Sequence, residues 1–468
     1  MRMSKQIHKG AAGAAHALPR YPACALLILV TFSVPLLTGI AAQRTAQEPA
    51  TTTAARNAAL IAATQEVLKE TSEVRQLSII RPVPSSTQSR AEIERAIMKN
   101  LDEEITPAEV HASEVTLKKL GLAPPDFQYR ALMVRLLTEQ VAGYYEPKTH
   151  QFHLADWIDI DGQKPIMAHE LTHALQDQHF NLRRFDNWPK GDSDAELAAH
   201  ALIEGDATLT MAMYVASNPL RALTFLKSLG AMGISTEELD KAPRALRETL
   251  LFPYQEGMNW TRTLYRKGGW SEVSTAFTTL PQSTEQVLHP EKYFAHEAPV
   301  NVTLPDLTNF LNDGGAKVKS LPSALVDGST TRPGWKKIAS DVNGEWGFYL
   351  ILDQFLKSPA DSRRAAAGWA GDRTAVYESA NGAVVYVSVS SWDTENDARE
   401  FFDAYVRRTQ LRYPGVAGSE NSASDAQMFP TPDGAVGIEL HGVRVTIVEG
   451  VHDEKQLSVL LQWLRQSN

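Results

Sequence analysis

His169-Glu170-Leu171-Thr172-His173 reads H-E-x-x-H. On a helix, residues four apart lie nearly one above the other, roughly 6 Å along the axis. Two imidazoles at that spacing reach a single ion, and this pattern sets two histidines and a carboxylate around zinc. Glu170 points about 100° away from His169, close enough to hydrogen-bond a water on the metal. Zinc acidifies such a water, and the carboxylate takes its proton as it attacks a carbonyl. The flanking sequence predicts a helix over 165–178. Pro165 suits a first helical position, after the turn signal Asp161-Gly162. Met167, Ala168, Leu171, Ala174 and Leu175 supply apolar positions at helical spacing, so one face is buried.

A catalytic zinc site takes a third protein ligand and leaves one position open. Glu204, within Ala201-Leu202-Ile203-Glu204-Gly205-Asp206-Ala207, lies in a second helical pattern. That pattern starts at Ser193, with Glu196 completing a capping box, and stops at Asn218-Pro219. A glutamate inside an apolar run is costly to bury unless it is paired or bound to a metal. Gly205 weakens the helix, which suggests close backbone packing. Asp206 could orient a histidine through its second ring nitrogen. The rival third ligand is His179, since His169, His173 and His179 have the spacing of H-E-x-x-H-x-x-G-x-x-H. That pattern turns sharply at its glycine, and here the position is Gln176. His179 then packs at the helix end or supports the site. His200, one turn before Glu204, reads as an interior histidine.

These residues resemble the gluzincin class of zinc metallopeptidases, in which H-E-x-x-H on one helix is followed by a ligand glutamate on a later one. The likeness covers roughly residues 141–293. The chain also looks like uncharacterised bacterial envelope proteins that share H-E-L-x-H-A-L-Q-D-Q-H-F and E-G-D-A, here His169 to Phe180 and Glu204 to Ala207. The resemblance implies a zincin-like catalytic domain that binds one Zn2+ through His169, His173 and Glu204. Glu170 would be the general base, and a peptide or protein the substrate. Many gluzincins carry an acid four residues after the ligand glutamate. This chain has Thr208 there, and the nearby acid is Asp206.

Upstream, Gly143-Tyr144-Tyr145-Glu146, a Pro147-Lys148 turn and Gln151-Phe152-His153-Leu154 predict a hairpin. In zincin-like folds an edge strand beside the active-site helix takes the substrate by strand addition. Phe152, His153 and Leu154 are the candidates for that strand, with an ordinary structural hairpin as the alternative. Downstream, Ser283 caps a short helix that ends near His289, before Pro290. His289 and Tyr293 have the chemistry to stabilise an oxyanion, with a structural role as the alternative.

The ends and the composition bound the rest. Residues 1–42 read as a basic start, an apolar run over 23–37 and small residues near Ala41-Ala42. This is the layout of a signal peptide. The expectation is export to the periplasm or outside. The alternative is an uncleaved anchor, since the apolar stretch approaches the ~20 residues that span a bilayer. Cys24 is the only cysteine. The mature chain would then have neither disulfides nor a thiolate ligand. The net charge is −9, and removal of Arg2, Lys5, Lys9 and Arg20 leaves −13, a poor match for nucleic acid.

The predicted fold is α+β and predominantly helical. A linker at 43–53 leads to a zincin-like domain at 54–324, with a helical upper lobe at 54–142 and an active-site region at 143–293. The lobe could also be a removable pro-segment. Residues 325–468 form a smaller α+β domain with an antiparallel sheet. Two other functions stay open: a non-catalytic envelope scaffold that keeps the fold, and hydrolysis of a cell-wall amide.

Overall fold

The computed structural model describes residues 53–467, apart from 141, 158–159, 186–187, 189–190, 225–236, 314–333, 417 and 419–424. The expected signal segment, its cysteine, most of the linker and the boundary at 324/325 lie outside the described residues. Among the described residues, no helix is long and apolar enough to cross a membrane. The chain is α+β and mostly helical, with an antiparallel six-stranded sheet in its C-terminal part.

Helix α1 (Thr53–Arg75) comes first, followed by strand β1 (Ser85–Gln88) and helices α2 (Arg90–Glu104), α3 (Pro107–Lys119) and α4 (Tyr129–Gln140). Capping boxes at Ser89/Glu92 and Thr106/Glu109 start α2 and α3 where the sequence placed them. Strands β2 (Gly143–Glu146) and β3 (Gln151–Ala155) form the expected hairpin. Together with β1 they make a small mixed sheet in the order β1-β3-β2, with β1 parallel to β3.

Helix α5 (Ile160–Phe180) carries the H-E-x-x-H stretch, and α6 (Ser193–Ala216) carries Glu204. Pro165 lies inside α5 rather than at its start. The extra turn is held from outside, because the buried Gln163 donates from Nε2 to Ala155 O at the end of β3. Proline then costs the helix one backbone bond near its beginning. One buried cluster packs Leu60, Val67 and Leu68 of α1 against Phe152 and Leu154 of β3 and Met167, Leu171 and Leu175 of α5.

Helix α7 (Arg244–Ala276) crosses α6 and breaks at Gly268-Gly269, the break expected from sequence. Short helices α8 (Thr284–Leu288) and α9 (Pro290–Phe294) lead toward the C-terminal part. There the strand order is β4-β5-β6-β9-β8-β7, built from β4 (Trp335–Asp341), β5 (Trp369–Ser379), β6 (Val384–Trp392), β7 (Ala426–Thr431), β8 (Gly434–His441) and β9 (Arg444–Val451).

Strand alternation sends neighbouring side chains to opposite faces. Val376, Tyr386 and Ile447 meet Phe401 and Tyr405 of α11 (Glu395–Arg412) and the apolar face of α10 (Gly344–Leu356). Ala375, Val387 and Val448 meet Leu457, Leu460 and Leu464 of α12 (Glu454–Ser467). The sheet is therefore buried on both faces. Strand β4 was not foreseen, because Lys336 and Lys337 interrupt any apolar alternation.

Candidate metal centre

Two packed helices bring the candidate ligands together. His169 and His173 project from one face of α5, and Glu204 faces them from α6. His169 Nε2 is 3.1 Å from Glu204 Oε2, His173 Nε2 is 3.4 Å from the same oxygen, and the two Nε2 atoms are 3.2 Å apart. A tetrahedral zinc ion with bonds of ~2.0–2.1 Å separates its ligand atoms by about 3.3 Å. The triangle thus already has the size the ion requires. All three side chains are buried, with Glu204 the most open of them.

Glu170 is fully buried on the same helix, with a carboxylate oxygen within 4.8 Å of both imidazoles. Its Oε2 accepts from the backbone N–H of Tyr145 at 2.9 Å. Its Oε1 is buried without a protein partner, as is His169 Nδ1. A buried carboxylate oxygen with no donor is costly, and here it sits beside a donor set suited to a divalent ion and its water. The residues present fit a zinc ion on these grounds.

Charge follows geometry. Burial pushes the Glu170 carboxyl up to about 8. Burial also pulls His173 down, but the adjoining Glu204 carboxylate more than offsets this and raises the ring to about 9. Glu204 is held well below the carboxylate range by the two imidazoles, against its own burial. Burial lowers His169. Without a cation, the trio is thus an imidazolium–carboxylate pair beside a neutral imidazole.

The remaining candidates are placed as follows. Asp206 does not touch a histidine. Its carboxylate accepts from Gln176 Nε2 at 3.0 Å and from Arg75 Nε at 2.5 Å, and it is Gln176 Oε1 that meets His173 Nδ1, at 2.9 Å. His179 is turned away from the trio. Its Nε2 lies 2.8 Å from Ser78 O at an exposed position, so the rival ligand set is not assembled. The chain does not turn at Gln176, and α5 continues to Phe180.

His289 pairs with Glu345 at 2.9 Å, and the Tyr293 hydroxyl donates to Thr279 O at 2.8 Å. Both are engaged with neighbours outside the trio, which matches the structural alternative. His200 Nδ1 lies 2.9 Å from Glu196 O.

The expected substrate strand needs correction. Strand β3 is the centre of its sheet, paired on one side with β1 and on the other with β2, so residues 152–154 have no free edge. Phe152 and Leu154 point into the α1–α5 core, and His153 lies on the opposite face, 2.9 Å from Ser86 Oγ. The edges of this sheet are β1 and β2, and β2 is the one that packs on α5. Ala155 N donates to Ala142 O, so alternation turns the amides of Gly143 and Tyr145 away from β3. The Tyr145 N–H is the one that Glu170 holds.

Sequence reasoning missed this backbone donor, and it missed Tyr254, whose ring lies 6.1 Å from that of His169 in a stacked arrangement. Tyr254 sits on α7, 81 or more positions from the motif in the chain, and no local pattern announces such a contact.

Comparison with known proteins reaches a different part of the chain. Residues 331–461 match a family described as a domain of unknown function (DUF8575). These residues hold the six-stranded sheet and none of the candidate ligands. No curated protein and no solved structure matches the chain.

Proposed function

We propose that the chain is a zinc-dependent peptidase with Glu170 as its general base. One observation carries the reading: two imidazole nitrogens and one carboxylate oxygen form a triangle of zinc-ligand size, with a second, buried carboxylate held beside it. When bound, zinc would supply a Lewis acid and an acidified water. His169, His173 and Glu204 would hold it.

The protein's own groups do the rest. Glu170 is fixed by the Tyr145 amide and keeps one oxygen free to take a proton and later return it to the leaving amine. The outward Gly143 amide and Tyr145 carbonyl of β2 offer an extended peptide a strand to pair with. Tyr145 is itself clamped to α5, since its hydroxyl donates to Asp177 Oδ2 at 2.8 Å and that oxygen also takes Arg81 Nη2 at 2.7 Å.

The test combines metal analysis with a peptide-library digest, run with and without a chelator. The parent should hold one zinc per chain and cut peptides only without chelator. Glu170→Gln should keep its zinc and lose about 10²–10⁴-fold in turnover. Glu204→Ala should lose zinc, and His179→Ala should not. A purified, folded parent that takes up no zinc would end the proposal.

A further inference from the structure

We infer that Gln176, held by Asp206 and Arg75, is a positioning residue that fixes the proton on His173 Nδ1 and leaves Nε2 free to bind metal. The inference rests on the zinc reading above. It assigns a role to three side chains from three helices.

The amide of Gln176 has one possible orientation. Its Nε2 lies 3.0 Å from Ile203 O and 3.0 Å from Asp206 Oδ2. A carbonyl and a carboxylate can only accept, so the nitrogen of the amide must face them and both its hydrogens are engaged. The amide cannot be reversed without setting oxygen against oxygen. Oε1 therefore faces His173 Nδ1 at 2.9 Å, and it too can only accept. The proton of a neutral His173 ring must then sit on Nδ1, and the lone pair on Nε2. Nε2 is the atom 3.2 Å from His169 Nε2 and 3.4 Å from Glu204 Oε2.

What holds Asp206 is equally determinate. Arg75 is the last residue of α1 and is fully buried. Its Nε meets Asp206 Oδ1 at 2.5 Å, its other nitrogens reach Ser274 Oγ at 3.2–3.3 Å, and its guanidinium lies over the Trp270 ring. Gln176 and Asp206 are also fully buried. Water cannot replace any link from within bulk solvent. His169 has no such support, since its Nδ1 is buried without a partner. The directed ligand of the pair is thus His173. Helix α1 is a constituent of the site, which argues against its being a removable pro-segment.

The experiment uses the full chain. Zinc affinity is measured by competition with a chromophoric chelator, beside thermal unfolding of the metal-free forms. Gln176→Leu and Asp206→Asn should each weaken zinc binding about 10–100-fold. Asp206→Asn acts because an amide can donate as well as accept, so Gln176 is free to reverse. Gln176→Leu should also lose the fixed tautomer, seen in nitrogen-15 spectra of the neutral His173 ring as a proton shared between Nδ1 and Nε2. A role in packing alone would not move the tautomer.

Nitrogen-15 histidine spectra of the zinc-loaded parent, or of the metal-free parent at a pH where the ring is neutral, should show the His173 proton on Nδ1. A proton on Nε2 in the neutral ring would overturn the inference. So would a folded Gln176→Leu chain with parental affinity. A parent that binds zinc while its variants bind equally well removes this inference alone. A parent that binds none removes the zinc reading with it.

Discussion

Glu170 and His173 share a low-dielectric pocket, and each is pushed toward its protonated form while no cation is present. The carboxyl is raised to about 8 and the ring to about 9. Both folded values lie above the unfolded ones of 4.5 and 6.5. A group raised in this way gives stability that is full below its unfolded pKa and lost as pH rises through the folded one. The metal-free chain should therefore lose stability between pH 4.5 and 8 at Glu170 and between pH 6.5 and 9 at His173, by up to about 1.4 kcal/mol per pH unit for each proton released.

Glu204 has the opposite sign, but its depressed pKa acts only below the carboxylate range. Other buried acids also titrate, so the useful quantity is the difference between parent and Glu170→Gln. Glutamine mimics the protonated acid at every pH. Denaturant titrations should show the parent losing ground to this variant as pH rises from 4.5 toward 8, and zinc should shrink the gap by favouring the carboxylate. A gap that does not change with pH would contradict the assigned burial.

At this scale the sequence was readable where contacts are local. His169, Glu170 and His173 share one helix, and Glu204 showed itself as an acid in an apolar run. Arg75 and the Tyr145 amide were not legible as partners, because their contacts join residues 25 to 131 positions apart, and Gln176, only three residues from His173, reads in the sequence solely as the residue in place of a glycine.

Helices α6 and α7 cross with almost no space between their backbones. A Cβ on Gly205 would stand 2.3 Å from the carbonyl carbon and oxygen of Gly257, and one on Gly257 would stand 2.3 Å from Ala201 O. Two effects compete in Gly205→Ala. Alanine improves helix propensity by roughly 0.5–1 kcal/mol. Overpacking costs about 1–3 kcal/mol or more, and here the obstacle is backbone, which cannot rotate aside. The steric term should win. We expect a lower melting temperature and, because Glu204 is the neighbouring residue, a loss of zinc affinity. A melting temperature at or above the parent's would show that the helices can separate cheaply.

The glycine itself was a legible sign of close packing, and its partner on α7 was not. The same division runs through the other elements. Capping boxes identified α2 and α3 because Ser89 and Thr106 meet acids three residues on. Strand β1 carries Ser85-Ser86-Thr87-Gln88, with no apolar alternation to read. Its place is set by parallel pairing to β3. Phe152 to Leu154 read as an edge strand for this reason: without β1, β3 has only β2 beside it.

The whole molecule is tied together at the start of the ligand helix. Asp341 at the end of β4 accepts from Ser193 N at 2.8 Å and from Ser193 Oγ at 2.7 Å. Asp194 accepts from the backbone and hydroxyl of Thr284, and that hydroxyl oxygen also takes the N–H of Trp346. Gly344, at φ +69°, is required here because a Cβ would fall 1.7 Å from Asp194 Oδ1. On another side, Arg408 of α11 donates to Leu120 O at 2.6 Å while paired with the buried Glu449. A single hydrophobic cluster runs from Leu202 of α6 to Ile438 and Ile447 in the sheet.

Such a seam is closed by buried hydrogen bonds and a shared hydrophobic cluster, so the sheet and the helices should unfold together. Calorimetry of the metal-free chain should give one transition. On the proposed reading zinc binds only the folded site, so at a hundredfold excess over its dissociation constant it should add about 2.7 kcal/mol. In a cooperative chain that increment reaches the sheet as well, more than one element away from the ion. The amides of β6 and β9 that exchange only by global unfolding should therefore slow about a hundredfold with zinc. Two resolved transitions, with only the one from the helical part moving, would mean that residues 331–461 unfold as an independent domain.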